Sequence, residues 1–138
     1  PSAVDDRINQ TMTADIVRLW GLAMSRTETF ANGAASIFSL RSRELDAARA
    51  DSGALDGLVN MLMRIKNCYC AILFTERDGF CKVSFRTRGA LSAREIASRF
   101  GGGGHKNAAG AKIAGDFDEM LEAVKREAAR ACEEAGLA

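Results

Sequence analysis

The chain has 138 residues, of which 47% are hydrophobic and 27% charged, and its formal net charge is +1. These values are ordinary for a globular protein of one domain. No apolar run approaches the roughly 20 residues of a membrane span, and the N-terminus lacks the basic and apolar stretches of a signal peptide. The composition therefore predicts no membrane partner and a cytoplasmic location.

The N-terminal part of the chain is expected to contain one helix. Residues 1–12 are expected to be a linker or a loose terminus. Residues 13–31 have apolar side chains at helical spacing, which predicts an amphipathic helix that ends at the Asn-Gly pair that follows. We therefore expect residues 1–33 to be a linker and an N-terminal helix, followed by one domain over residues 34–138.

The next segments predict a strand and two helices. Residues 34–40 predict a strand, Ser42 can cap a short helix through Ala50, and residues 51–53 predict a turn. A second amphipathic helix follows, because apolar side chains occupy one face at helical spacing. These side chains are Leu55, Leu58, Val59, Leu62 and Ile65.

A hairpin is predicted in the middle of the chain. Residues 68–74 are continuously apolar, as in a central strand that is covered on both faces. Asp78 and Gly79 are typical of a tight turn between two strands. The returning strand alternates between two faces. Its inner side chains are Cys81, Val83 and Phe85, and its outer side chains are Lys82, Ser84 and Arg86.

The last third of the chain predicts a helix, a strand and a final helix. Ser92 and Glu95 form the capping box of a short helix, and Gly101 suits the left-handed position at its end. Residues 107–114 predict a strand, and Asp116 can cap the final helix. The order of these elements predicts an α+β fold, a single compact domain with a mixed β-sheet flanked by helices.

Charge is distributed unevenly along the chain. From Phe80 to Lys112 there are seven basic residues and one acidic residue, which gives +6, whereas the remainder has twelve basic and seventeen acidic residues, which gives −5. A basic third in a nearly neutral protein indicates an anionic partner, although a basic solvated surface would give the same count. The four cysteines lack zinc-knuckle spacing, so they predict buried, reduced thiols and no metal site.

The glycine tract Gly101–Gly104 is the most informative segment. It follows a capped helix and leads directly into His105, and only about 30 residues remain after it, which argues against an interdomain linker. The dinucleotide-binding pattern fails because Lys106 or Asn107 stands where it needs a glycine. The Walker pattern fails because His105 stands where it needs one.

The same tract has the chemistry of a phosphate site. Without a Cβ, glycines allow successive backbone N–H groups to converge on an anion. His105 can donate to a phosphate oxygen, and Arg86 can offer a bidentate fork from the outer face of the hairpin. The sequence therefore predicts a rigid phosphate cradle at residues 102–105 that faces the same side as Arg86.

Several of these motifs together resemble the DHH-associated C-terminal domain of the DHH phosphoesterases. They are residues 84–89, the capped helix, the Gly101–His105 tract and residues 108–110. That family includes RecJ-like exonucleases, oligoribonucleases with nucleotide-bisphosphate phosphatase activity and cyclic-dinucleotide phosphodiesterases. Residues 56–60 also resemble the preceding helix of the oligoribonuclease branch, and the resemblance covers residues 34–136.

The resemblance implies that metal binding and substrate binding belong to two different domains. An N-terminal DHH domain would hold paired divalent metals, usually manganese, and the C-terminal domain would grip the phosphate of a nucleotide or short single-stranded nucleic acid. The phosphate-binding residues that it implies here are Gly102, Gly103, Gly104, His105, Arg86, Ser84, Lys106 and Asn107.

This chain has no Asp-His-His motif, so we expect no catalytic residue in it and no hydrolysis by the chain alone. The resemblance implies the substrate-binding domain of a metal-dependent phosphoesterase that hydrolyses short oligonucleotides or nucleotide phosphates. Alternatives are a non-catalytic module that binds nucleotides or single strands, an enzyme for cyclic dinucleotides or polyphosphate, and a tRNA-editing accessory. The sequence offers no aromatic platform for bases, which argues against tight binding of single strands.

Overall fold

The computed structural model describes residues 12–138, so the predicted linker at residues 1–12 lies, except for Met12, outside the described residues. The helices are α1 (Ala14–Ser25), α2 (Ser42–Ala47), α3 (Ser52–Leu62), α4 (Ala93–Ser98) and α5 (Phe117–Glu134). The strands are β1 (Glu28–Phe30), β2 (Ala35–Leu40), β3 (Cys70–Glu76), β4 (Cys81–Thr87), β5 (Gly103–His105) and β6 (Ala108–Ile113). None of these helices is long and apolar enough to cross a membrane.

The strands form one sheet in the order β1-β2-β3-β4-β6-β5. β2 and β3 run parallel, and every other pair of neighbours is antiparallel. A parallel pair needs a long crossover connection, and α2 and α3 provide it between β2 and β3. The predicted α+β fold with a mixed sheet and flanking helices is confirmed.

Two hydrophobic cores lie on opposite faces of this sheet. One packs α4 and α5 against the sheet and takes in alternate residues of β3, β4 and β6, such as Ile72, Phe85 and Ala111. The other lies beneath α1, α2 and α3, and the strands that contribute to it within residues 12–138 are β2 and β3. Its sheet residues are Phe38, Leu40, Ala71 and Leu73. The second face is therefore covered over β2 and β3, partly covered at β4, which α3 also contacts, and open over β6 and β5.

The predicted hairpin and the alternation along β4 are confirmed. The inner side chains Cys81, Val83 and Phe85 are buried, whereas the outer ones are half-buried. β3 and β4 pair in antiparallel fashion around the predicted turn at Asp78 and Gly79, and Gly79 has a φ of +83°. One side of β4 thus belongs to the core, and the other side faces the open half of the sheet.

The helix predicted over residues 13–31 is wrong in its last third. α1 ends at Ser25, and Glu28–Phe30 instead forms β1, an edge strand antiparallel to β2. Residues 31–33 make the turn between these strands, and all three have positive φ. Apolar spacing alone does not distinguish the end of a helix from so short a strand. The sheet therefore begins before residue 34.

Other predicted boundaries move by a few residues, as is common at element ends. α2 ends at Ala47 rather than at Ala50. The turn predicted at residues 51–53 is instead the start of α3, because the Asp51 carboxylate accepts the N–H of Ala54 at 2.9 Å and caps the helix. An acidic residue before an apolar run thus begins a helix here, and the segment is not a loop.

Glu76, at the end of β3, fixes the start of α2. Arg41, rather than the predicted Ser42, takes the capping position of this helix. The Glu76 carboxylate accepts hydrogen bonds from the Ser42 N–H at 3.1 Å and from the Ser42 hydroxyl at 3.2 Å. These bonds lower the pKa of Glu76. β3 begins at Cys70 and ends at Glu76, two residues later at each end than the predicted range of 68–74, because it pairs with β4 as far as Cys81.

The predicted caps of the two C-terminal helices are confirmed. The Ser92 hydroxyl accepts the N–H of Glu95 at 3.2 Å at the start of α4. The Asp116 carboxylate accepts the N–H of Glu119 at 3.1 Å at the start of α5. Each cap satisfies an N–H group that has no partner within its helix.

The four cysteines are buried and form no disulfide, as predicted. Burial raises the pKa of Cys70, Cys81 and Cys132. These thiols therefore stay protonated near neutral pH, and they act as small apolar residues of the core rather than as nucleophiles or metal ligands.

Candidate functional site

The half of the second sheet face that α1, α2 and α3 do not fully cover is formed by β4, β6 and β5. α3 contacts β4, whose outer side chains are half-buried. Direct partners on antiparallel strands point to the same side of a sheet, so the strand register shows which residues share this surface. We call this surface the open face, and its members are Lys82, Ser84, Arg86, Gly103, His105, Ala108, Gly110 and Lys112.

The open face consists of three rows that cross the strands. The first row contains Arg86, Ala108 and His105, the second contains Ser84, Gly110 and Gly103, and the third contains Lys82 and Lys112. Neighbouring strands lie about 4.8 Å apart, so the Cα atoms of Arg86 and His105 are about 10 Å apart with one alanine between them. A phosphate can occupy that gap and contact a guanidinium on one side and an imidazole on the other.

The glycine tract does not form the predicted cradle of converging N–H groups. Residues 103–105 pair with β6 as the edge strand β5. The tract is therefore part of the sheet, and it contributes Gly103 and His105 to the open face.

The glycines permit a close approach between β5 and β6. A Cβ on Gly102 would lie 2.2 Å from the Gly110 carbonyl oxygen, and one on Gly104, whose φ is +142°, would lie 2.7 Å from the Cα atom of Ala109. At Gly103 a Cβ would meet no atom within 4 Å. Gly102 and Gly104 are thus required by packing, whereas Gly103 leaves open space on the side of the open face.

The tract is joined to the end of α4 by two backbone hydrogen bonds. The N–H of Gly101 donates to the Ser98 carbonyl at 3.1 Å, and the N–H of Gly102 donates to the Ala97 carbonyl at 2.9 Å. Gly101 has a φ of +76°, which confirms it as the left-handed residue that ends the helix. This arrangement directs the chain from α4 to the edge of the sheet.

Thr87 holds the turn that follows His105. Its side chain is buried, and its hydroxyl lies 3.2 Å from the Lys106 carbonyl oxygen. The same hydroxyl accepts the N–H of Ala93, the first residue of α4, at 3.2 Å. The turn between β5 and β6 is thereby fastened to the end of β4 and to the start of α4.

The basic groups of the open face have no carboxylate partner within the part of the chain that the structure describes. This applies to Lys82, Arg86, His105 and Lys112. Arg86 donates one hydrogen bond, to the Phe85 carbonyl at 3.2 Å, and keeps further N–H groups. The positive charge of this surface is therefore available to an anionic ligand.

The manganese that the resemblance implies belongs to a DHH domain and not to the described residues. Within residues 12–138, no group of three or more His, Cys, Asp or Glu side chains is placed to hold a metal ion. We therefore assign no metal ligand in this part of the chain.

The structure brings together half of the eight residues predicted to bind phosphate. Those on the open face are Ser84, Arg86, Gly103 and His105. Lys106 and Asn107 are exposed in the turn beside them. Gly102 and Gly104 serve the packing of β5 on β6 instead.

Three further residues of the site were not predicted. Alternation along β4 puts Lys82 on the same side as Ser84 and Arg86, so this residue could have been found from the sequence. Lys112 and Thr87 depend on the pairing of β4 with β6 and on the position of α4, which no local pattern reveals.

The chain belongs to the DHHA1 domain family, which matches residues 27–130. This match includes the strands and helices that build the open face. The predicted membership in the DHH-associated family is thus confirmed, and the match begins within the segment that we expected to precede the domain.

Two curated relatives share a name, bifunctional oligoribonuclease and PAP phosphatase NrnA. The chain is 39% identical over 89 residues to the protein from Thermus thermophilus, in a region that covers 59% of this chain and 28% of that protein. It is 30% identical over 99 residues to the protein from Bacillus subtilis, in a region that covers 72% of this chain and 31% of that protein. The chain thus matches less than a third of either relative.

A solved structure has a similar fold. An exopolyphosphatase-related protein from Bacteroides fragilis matches with a TM-score of 0.85 and 24% sequence identity. The match covers 97% of this chain and 39% of that protein. At this identity the likeness supports the arrangement of strands and helices.

Proposed function

We propose that this chain is the substrate-binding domain of a metal-dependent phosphoesterase that hydrolyses short oligonucleotides or nucleotide phosphates. In this proposal, a DHH domain in a longer protein holds the divalent metal, and the present chain binds and orients the phosphate. The observation that carries the proposal is the register that puts Arg86 and His105 on the same side of the sheet.

The relatives support the substrate class. Both carry the name oligoribonuclease and PAP phosphatase, which joins an activity on short RNA with one on a nucleotide. The chain matches 28% of one relative and 31% of the other, so most of each relative lies outside the matched part. A catalytic domain that is separate from the phosphate-binding surface is consistent with these proportions.

The open face supplies the contacts that such a ligand needs. The Arg86 guanidinium can offer two parallel N–H groups to one phosphate, and His105 can donate to it from the opposite side. Ser84 stands about 7 Å further along β4 and offers a hydroxyl to the next part of the ligand. Ala108 and Gly110 form the floor between these side chains, so a phosphate can approach the sheet closely.

The test is hydrolysis of a 5′-phosphorylated dinucleotide by the full-length protein in the presence of Mn²⁺. His105→Ala is expected to lower kcat/KM about 100-fold, because a misplaced phosphate loses the geometry needed for reaction. Release of mononucleotide at limiting substrate concentration measures this change.

Arg126→Gln is the matched control, because this exposed arginine lies on α5 behind the opposite face of the sheet. Unchanged turnover in His105→Ala would contradict the assignment of that residue. If the full-length protein hydrolyses inorganic polyphosphate or a cyclic dinucleotide faster than the dinucleotide, that compound and not the oligonucleotide is the substrate. Binding of any of these compounds without hydrolysis would favour a non-catalytic module.

A further inference from the structure

The third row of the open face pairs two lysines. Lys82 on β4 and Lys112 on β6 are direct partners, so their side chains lie next to each other. Like charges opposite each other on antiparallel strands destabilise a sheet. Neither lysine forms an ion pair with an acidic residue of residues 12–138. No carboxylate of the described residues therefore lies within 4 Å of either ammonium group, and a bound anion would reduce the repulsion.

Phe80 keeps the Lys112 ammonium group at one end of the open face. The centroid of its ring lies 5.4 Å from the Nζ atom of Lys112, which is within the range of a cation–π interaction. Phe80 precedes β4, so it lies beyond Lys82 on the side away from Arg86. The open face therefore has two centres of positive charge, one at each end.

The two centres are too far apart for one phosphate. Lys82 and Arg86 are four residues apart on β4, which corresponds to about 13 Å between their Cα atoms. Side chains stand roughly perpendicular to a sheet, so the charged groups remain separated by a similar distance. A phosphate oxygen contacts its cation at about 2.8 Å. A ligand that contacts both centres must therefore carry more than one phosphate.

The row between the two centres is open. It contains Ser84, Gly110 and Gly103, so no side chain on it is larger than a hydroxymethyl group. A side-chain Cβ at Gly103 would meet no atom within 4 Å, so the β5 end of this row is open, whereas Ser84 and Gly110 are half-buried. A nucleic acid backbone can pass over it from one centre to the other.

We propose that Lys82 and Lys112 form a second phosphate subsite, so that the open face holds a single-stranded oligonucleotide by two phosphates rather than a mononucleotide by one. This inference rests on the proposed function, because it takes Arg86 and His105 as the first subsite. A mononucleotide contacts the first subsite only.

The test is a titration of the ¹⁵N-labelled chain with AMP and with a 5′-phosphorylated adenosine trinucleotide, followed by NMR at several salt concentrations. Substituting both lysines, Lys82→Gln with Lys112→Gln, is expected to weaken trinucleotide binding about tenfold and to leave AMP binding unchanged. The slope of log K against log salt for the trinucleotide should flatten by about 0.7 for one lost phosphate contact.

The control substitutes Arg43→Gln with Arg126→Gln, which removes two exposed positive charges elsewhere and should change neither affinity. The single variants Lys82→Gln and Lys112→Gln test the same subsite if the double variant does not fold. Removing one member of a like-charged pair should not destabilise the sheet.

Equal losses for AMP and the trinucleotide would overturn the second subsite. So would an unchanged trinucleotide affinity in the double-lysine variant, provided that Arg86→Gln weakens both ligands; the proposed function would then stand. If the unmodified chain binds neither ligand, the proposed function fails and the second subsite fails with it.

Discussion

Thr87 links three elements through one hydroxyl. It lies at the end of β4, contacts the turn between β5 and β6 through Lys106, and accepts the first N–H of α4 at Ala93. Buried polar groups are almost always hydrogen-bonded, and the two backbone partners here have positions that the hydroxyl can fix, with the Asn107 Oδ1 atom a further acceptor at 3.4 Å. Because His105 directly precedes this turn, we expect Thr87 to position the imidazole without touching the ligand.

Replacing Thr87 tests this role. Thr87→Val keeps the shape of the side chain but removes the hydroxyl, so we expect a loss of about 1 kcal/mol in the free energy of unfolding. We also expect weaker binding of AMP, because the turn beside His105 loses the hydroxyl contact and keeps only its backbone hydrogen bonds to Thr87 and Ala93. Urea unfolding measures the first effect, and an NMR titration measures the second.

Thr87→Ser is the matched control, because it retains the hydroxyl. It should restore AMP affinity to within about twofold even if the lost methyl group costs some stability. A Thr87→Val variant that is less stable but binds AMP normally would show a purely structural role.

Part of this site is visible in single residues of the sequence. Alternation along β4 puts Ser84 and Arg86 on the outer side, and the structure agrees. The distance from Arg86 to His105 could not be predicted from single residues, because it depends on the pairing of β4 with β6 and of β6 with β5. No local pattern sets that register, since residues 103–110 are mostly glycine and alanine and carry little hydrophobic alternation.

At the scale of elements, β5 is a strand because it pairs with β6 and not because of its own sequence. Its three residues, two glycines and a histidine, have low intrinsic preference for strands. The sequence therefore favoured a loop there. β1 was missed for a related reason, because Glu28–Phe30 is too short to show alternation and continues the apolar spacing of α1.

The elements that were predicted well carry signals within their own sequence. The caps at Ser92 and Asp116, the alternation of β4 and the apolar face of α5 are local features that tertiary contacts reinforce. Consistency between local preference and global packing makes such segments predictable.

The glycines of β5 allow a paired test of packing and binding. Gly104→Ala is expected to lower the free energy of unfolding by about 1–3 kcal/mol, because its φ of +142° is unfavourable for alanine and its Cβ would collide with Ala109. Gly103→Ala should change stability by less than about 0.5 kcal/mol, because nothing lies near the new methyl group. Urea unfolding of both variants checks these values.

Gly103→Ala, which should hardly change stability, is expected to change trinucleotide binding. The Gly103→Ala methyl group projects from the second row of the open face, so the folded variant should bind the trinucleotide less tightly than the unmodified chain. Full trinucleotide affinity in Gly103→Ala would mean that the ligand does not cross this row.

At the scale of the whole molecule, the site arises because the helices cover unequal parts of the sheet. α4 and α5 bury the first face, whereas α1, α2 and α3 bury the second face over β2 and β3, and of these α3 also contacts β4. The side chains follow this division. The second face is apolar in β2 and β3, with residues such as Phe38 and Leu73, and it becomes basic and small from β4 onwards.

This coverage could not be predicted from the sequence. Helical periodicity shows that α1 and α3 each have an apolar face, but it does not show which strands those faces contact. The uneven charge along the chain did indicate an anion-binding surface, and the sheet gathers part of that charge on one side.

The central claim is that phosphate binds on the open face beside Arg86 and His105. The most direct test is an NMR map of the ¹⁵N-labelled chain titrated with AMP and, separately, with adenosine. We predict that AMP shifts the amide signals of residues 84–88 and 103–108 and that adenosine does not. Equal shifts with adenosine, or shifts confined to the surface of α1 and α3, would contradict the claim.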